Sequence, residues 1–248
     1  MGTNLTTSSS DMGLVRRPSR MFGSLILSVL FAVGVGTATA DEMSPQIWLD
    51  YNPLHRISPK VDLFGDAGIR WDTANDGWWR FVLRPSVGVR AGQVYLTAGV
   101  GNFFTFSPHI ATRWEIRPFQ GATVVWPGGR LAFQHYLRLE ERFDFNTETW
   151  NSLNSLRLRY QLQVSYRWAT YQGGRTWKAT ASVEPFITLA GEQGLQQEQV
   201  RATIGIERTF ARDRRLEFLI SWQQESLLFL PDEDESDTFL RVRWFVPW

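Results

Sequence analysis

The chain has 248 residues with 26 Lys+Arg against 25 Asp+Glu, a formal net charge of +1, and that balance gives no electrostatic reason to expect nucleic acid as a partner. With no cysteine, neither a disulfide framework nor a thiolate metal site is possible, and His55, His109 and His135 are thin material for an imidazole cluster. No cofactor is expected.

Residues 1–20 are polar and carry Arg16, Arg17 and Arg20 ahead of an apolar run at 22–35. That run is too short for a comfortable spanning helix, and Ala38-Thr39-Ala40 follows as an A-x-A site. The pattern predicts a secretory signal peptide over 1–40, cut after Ala40, with Met12 as an alternative start. Arg16-Arg17 raises the twin-arginine route, but the rest of that motif is missing. Residues 41–248 then form one domain.

From there the sequence alternates apolar and polar residues between turn signals. Strands are predicted at 46–56, 60–71, 78–90, 93–105, 109–125, 130–145, 153–171, 175–190, 197–210, 214–228 and 237–247. The clearest pattern runs over 156–168. Leu156, Leu158, Tyr160, Leu162, Val164, Tyr166 and Trp168 make one face, while Arg157, Arg159, Gln161, Gln163, Ser165 and Arg167 make the other. On a helix the same residues would scatter around the circumference. A membrane-spanning strand needs about 9–11 residues, and this run exceeds that. The mean hydropathy of −0.24 is no objection, since a barrel strand needs only every second residue apolar. The expected fold is an all-β, antiparallel transmembrane β-barrel in the outer membrane of a Gram-negative bacterium. Because such barrels have even strand numbers, ten strands are expected and twelve are the alternative. Segment 46–56 is then left outside the wall or in the lumen.

Connections alternate in length. Ser58-Pro59-Lys60, Ala91-Gly92-Gln93, Pro127-Gly128-Gly129, Gln172-Gly173-Gly174 and Ala211-Arg212-Asp213 are tight, and mostly longer polar ones lie between them. That is the asymmetry of short periplasmic turns and longer outer loops. Among the 12 Trp, Trp126, Trp168, Trp177 and Trp248 sit by the short turns or the chain end, and Trp71, Trp78, Trp79 and Trp150 flank the longer loops. They predict two membrane-interface girdles, whereas Trp114 and Trp222 read as mid-strand and do not fit. Leu240, Val242, Trp244, Val246 and Trp248 alternate to the last residue. This is similar to the C-terminal signature read by the outer-membrane assembly machinery, although Phe is the more usual final residue. The expected partners are therefore that machinery, outer-membrane lipids and lipopolysaccharide. A soluble edge strand this apolar would be an aggregation hazard.

The segment at 46–70 (QIWLDYNPLHRISPKVDLFGDAGIR) resembles the opening of the bacterial barrels grouped as domain of unknown function 2490, in which a Trp-containing strand precedes a strand like the one closing on Gly65 to Arg70. The resemblance implies the barrel and its location. It implies no activity.

Inward faces are expected to carry Arg70, Arg80, Arg84, Arg113, Glu115, Arg117, Arg138, Glu140, Arg142, Arg157, Arg159, Arg201, Glu207, Arg241 and Arg243, with Asp62, Asp66 and Glu184. Read structurally, they form a ladder of ion pairs filling a narrow lumen. Read functionally, the excess of Arg over acid lines an anion path. The expected function is a narrow, anion-preferring channel or a structural barrel. The alternatives are a phospholipase-like enzyme of the outer membrane and a soluble periplasmic lipid-binding barrel. For the enzyme, His135 is the one plausible base and points outward by parity, but no His-x-Ser-Asn pattern follows it. Asp232 to Asp237 reads as a solvated acidic loop without calcium-loop spacing. Gly99-Val100-Gly101 lacks the helix of a phosphate cradle and reads as space-making in a strand.

Overall fold

The computed structural model describes residues 43–73, 77–108, 111–191, 196–225 and 236–248. The expected signal peptide, His109 and residues 232–235 of the acidic loop lie outside them. Eleven strands follow one another: β1 Met43–Arg56, β2 Val61–Asp72, β3 Trp79–Ala91, β4 Val94–Phe106, β5 Arg113–Gly128, β6 Leu131–Asn146, β7 Ser152–Thr170, β8 Thr176–Ala190, β9 Gln196–Thr209, β10 Arg215–Glu225 and β11 Ser236–Pro247. Each segment read from alternation is present, with its ends shifted by a few residues.

Every strand pairs antiparallel with its neighbour in sequence, and the sheet closes on itself. The closing pair is different. β1 and β11 lie parallel, from Met43 beside Ser236 to Leu54 beside Pro247. The barrel therefore has eleven strands, which corrects the expectation of ten or twelve. It also corrects the placement of segment 46–56, which is a full member of the wall. Even parity is needed only when the first and last strands meet antiparallel, and a parallel seam removes that condition. β1 fits the seam because it alternates as the wall does. Gln46, Trp48, Asp50 and Asn52 are buried inside, while Ile47, Leu49 and Tyr51 are exposed outside.

Soluble proteins bury apolar residues and expose charge; this barrel does the reverse. Leu83, Leu137, Ile204, Phe218 and Leu240 are exposed, while Asp62, Arg138, Glu140, Arg157, Glu184 and Glu207 are buried. The strand ends flanking connections 57–60, 92–93, 129–130, 171–175 and 210–214 lie at one end of the barrel, and the strand ends flanking the remaining, mostly longer connections lie at the other. β1 and β11 both start at the long-loop end.

Inward glycines make room for inward rings. A Cβ on Gly101 would lie 2.7 Å from Phe103 Cε2, and one on Gly99 would lie 2.7 Å from Phe119 Cζ. The Phe103 ring thus folds back over the bare backbone of its neighbour. Gly101→Val is expected to displace that ring and to cost about 1–3 kcal/mol through overpacking. Urea unfolding followed by Trp fluorescence would read the loss, and an unchanged midpoint would mean the ring has room elsewhere.

Candidate functional site

Alternation sends charged residues of nearly every strand into one interior, where Glu115, Glu140 and Glu184 each collect two or more guanidinium groups. Glu140 on β6 is fully buried and faces three arginines. Arg157 Nε donates to its Oε2 at 2.9 Å and Arg159 Nη1 to its Oε1 at 2.9 Å. Arg138 Nε lies 2.9 Å from the same Oε1 but does not reach hydrogen-bonding geometry, so that contact is coulombic. Arg159 continues to Glu184 on β8, with Nη2 at 2.7 Å, and Arg201 Nη1 reaches the other Glu184 oxygen at 3.5 Å. Glu115 accepts from Arg117 Nε at 2.6 Å and Arg142 Nε at 2.7 Å. Asp66 takes both arms of Arg84, each at 2.8 Å, and Asp50 pairs with Arg241. The lumen is crossed by a web of forked, charge-assisted bonds.

Aromatic rings fill the spaces within this web. Trp48 stacks on Phe239 with centroids 3.8 Å apart. Guanidinium groups cover the faces of the others: Arg138 lies 3.7 Å from the Phe119 centroid, Arg117 4.1 Å from Phe103 and Arg159 4.6 Å from Phe186. Phe103, Phe186 and Phe239 are only 1–2% exposed, so these rings are packed within the lumen. On its long-loop side lies a cavity of about 270 Å³ lined, among the described residues, by nine arginines and one acid, Asp237.

Nearer the short turns the pairs become separate clusters. Asp62 holds Arg90 Nη2 at 2.8 Å and accepts from the Tyr95 hydroxyl at 3.1 Å. Glu207 binds Lys178 at 2.7 Å and Arg215 at 3.3 Å, and Glu217 binds Arg243 at 3.1 Å. Between these clusters and the web, inward positions are small or uncharged, among them Ser165, Thr180, Ser182 and Thr203.

The expected lumen residues all face inward, and most join the web. Arg113 does so only at the rim, 44% exposed and paired with Asp144. Asp50, Gln223 and the buried rings of Trp48, Phe103, Phe119, Phe186 and Phe239 were not expected there. Their signal is parity: Phe119 continues the series Glu115, Arg117, and Phe186 follows Glu184.

The expected interface tryptophans divide differently. Trp71, Trp79, Trp126 and Trp168 are exposed on the outer face, Trp150 and Trp248 are exposed at the barrel's ends, and Trp177 stacks on Trp168 at 5.9 Å. Trp78 is the exception: it lines the arginine cavity, with Arg80 5.1 Å from its ring centre. It precedes β3 by one residue, so its parity is inward. Trp114 is not mid-strand but the second residue of β5, where it stacks on Phe104 at 5.4 Å near the long-loop end. On β10, Trp222 lies three residues before the end at Glu225, toward the same end.

His135 faces outward. Its Nδ1 shares a 2.7 Å hydrogen bond with the Tyr160 hydroxyl, and its ring lies 4.8 Å from that of Trp126. These contacts make it one member of an outer aromatic cluster.

The model of a family described as "Protein of unknown function (DUF2490)" matches residues 45–227. No curated protein matches the chain.

Proposed function

Because the chain belongs to the DUF2490 family, whose description names no activity, we propose its function from the barrel itself: an exported outer-membrane β-barrel whose resting lumen is closed by ion pairs. The observation that carries this reading is the inverted partition, with apolar side chains outside a closed wall and paired charges within it. A bilayer core demands that every backbone polar group be bonded internally, and a closed sheet meets that demand. Aromatic side chains at both ends, the leader pattern over 1–40 and the alternating final strand support the same location. On this reading the barrel contacts outer-membrane lipids and lipopolysaccharide, and the assembly machinery reads β11. The buried rings and paired charges of the lumen support a structural barrel over an open channel. Where the web yields, its arginine lining favours anions.

Fractionation of the expressing cell is expected to place the protein in the outer membrane, with faster gel migration unboiled than boiled. Recovery in the soluble periplasm would favour a lipid-binding barrel instead. In a planar bilayer the purified barrel should be silent, or show only small steps that prefer anions. Stable steps of porin size would contradict the closed lumen.

A further inference from the structure

On neighbouring strands β2 and β3, Arg70 and Arg80 stand directly opposite in register. Like charges so placed repel, and elsewhere the fold answers such a pair. Arg138 and Arg159, opposite on β6 and β7, share the carboxylate of Glu140. Neither Arg70 nor Arg80 has a carboxylate partner among the described residues. Arg70 is 8% exposed, its Nε is without a hydrogen-bond partner, and its guanidinium lies 3.8 Å from the Trp48 ring centre. Arg80 has the Thr105 hydroxyl at 2.6 Å and the Trp78 ring. Arg241, on the same cavity, leaves one terminal nitrogen unpartnered.

All three line the 270 Å³ cavity at the long-loop end, where, among the described residues, nine guanidinium groups meet one lining carboxylate. Arginine cannot shed its proton to relieve this, and an uncompensated buried charge is costly.

We propose that the Arg70–Arg80 pair is a binding site for a multiply charged oxyanion of the phosphate class. Planar guanidinium forks match tetrahedral phosphate oxygens, two bonds at a time. The cavity is large enough to take a hydrated phosphate group. The inference rests on the arginines facing this cavity and not on where the barrel resides.

Calorimetry tests this on the purified barrel in phosphate-free micelles, titrated with inorganic phosphate in one arm and a short-chain phosphatidic acid in the other. Saturable binding is expected in at least one arm. It should weaken tenfold or more in Arg70→Gln and in Arg80→Gln, and be unchanged in Arg113→Gln at the rim. Heat-dependent gel migration reports the fold of each variant. Competition between the two ligands would assign a lipid phosphate as one source, and binding of inorganic phosphate alone would assign the free ion. Should either variant fail to fold, the melting temperature of the native barrel must still rise with phosphate. No binding in either arm, binding that survives both substitutions, or an unmoved melting temperature would overturn the proposal. A barrel found in the soluble periplasm that binds phosphate would keep this site and lose the membrane reading.

Discussion

Glu140→Ala is expected to lower the unfolding free energy of the barrel by about 3–5 kcal/mol, the range for removing one partner of a buried ion pair. The upper end applies, because Arg138, Arg157 and Arg159 all lie within 2.9 Å of that carboxylate or closer. Without it they face one another across a closed interior. The comparison is Asp144→Ala, whose partner Arg113 is 44% exposed at the rim; solvent screens that pair, so the loss should stay within about 1 kcal/mol. Urea unfolding in micelles, read by Trp fluorescence, measures both. Equal losses would mean that the web is not the core of the barrel.

The second large effect concerns the outer face. Ile204 sits near the middle of β9, 46% exposed, beside Ile220 on β10 and Ala181 on β8. In a water-soluble protein, replacing an exposed Ile with Arg changes stability by within about 0.5 kcal/mol. On the lipid face of a barrel the same change costs about 2–4 kcal/mol near the midplane. Ile204→Arg, refolded into phospholipid vesicles and unfolded in urea, should therefore lose several kcal/mol. A neutral result would argue that this face meets water.

Much of this architecture is legible in the sequence because a strand has a period of two and each residue declares its own side. The run over 156–168 shows both faces of β7, and the tight turns stand where Gly and Pro place them. The seam is not legible. Asp50 and Arg241 lie 191 residues apart, and nothing local to 46–56 announces a partner at the other end of the chain. An even strand count then displaced β1 from the wall and hid Asp50 and Trp48 with it. In the lumen, the excess of arginine is countable from sequence, but which carboxylate takes which guanidinium depends on cross-strand register. Inward phenylalanines are hidden for a different reason: an apolar residue in a barrel strand reads as outward unless its parity is set against charged neighbours, as Phe239 is against Arg241 and Arg243.

The parallel seam also bears on how the barrel forms. Ten of its eleven pairings join strands adjacent in sequence, so each can zip outward from its own turn. The eleventh joins the first strand to the last, and a contact of such long range is slow to make. Until it forms, β1 and β11 are both bare edges whose amides and carbonyls have no partner. Such edges cannot rest in hydrocarbon, and in water they invite pairing with other chains. Closure is thus expected to be the slow step, with a nascent sheet most open to wrong pairing just before its ends meet.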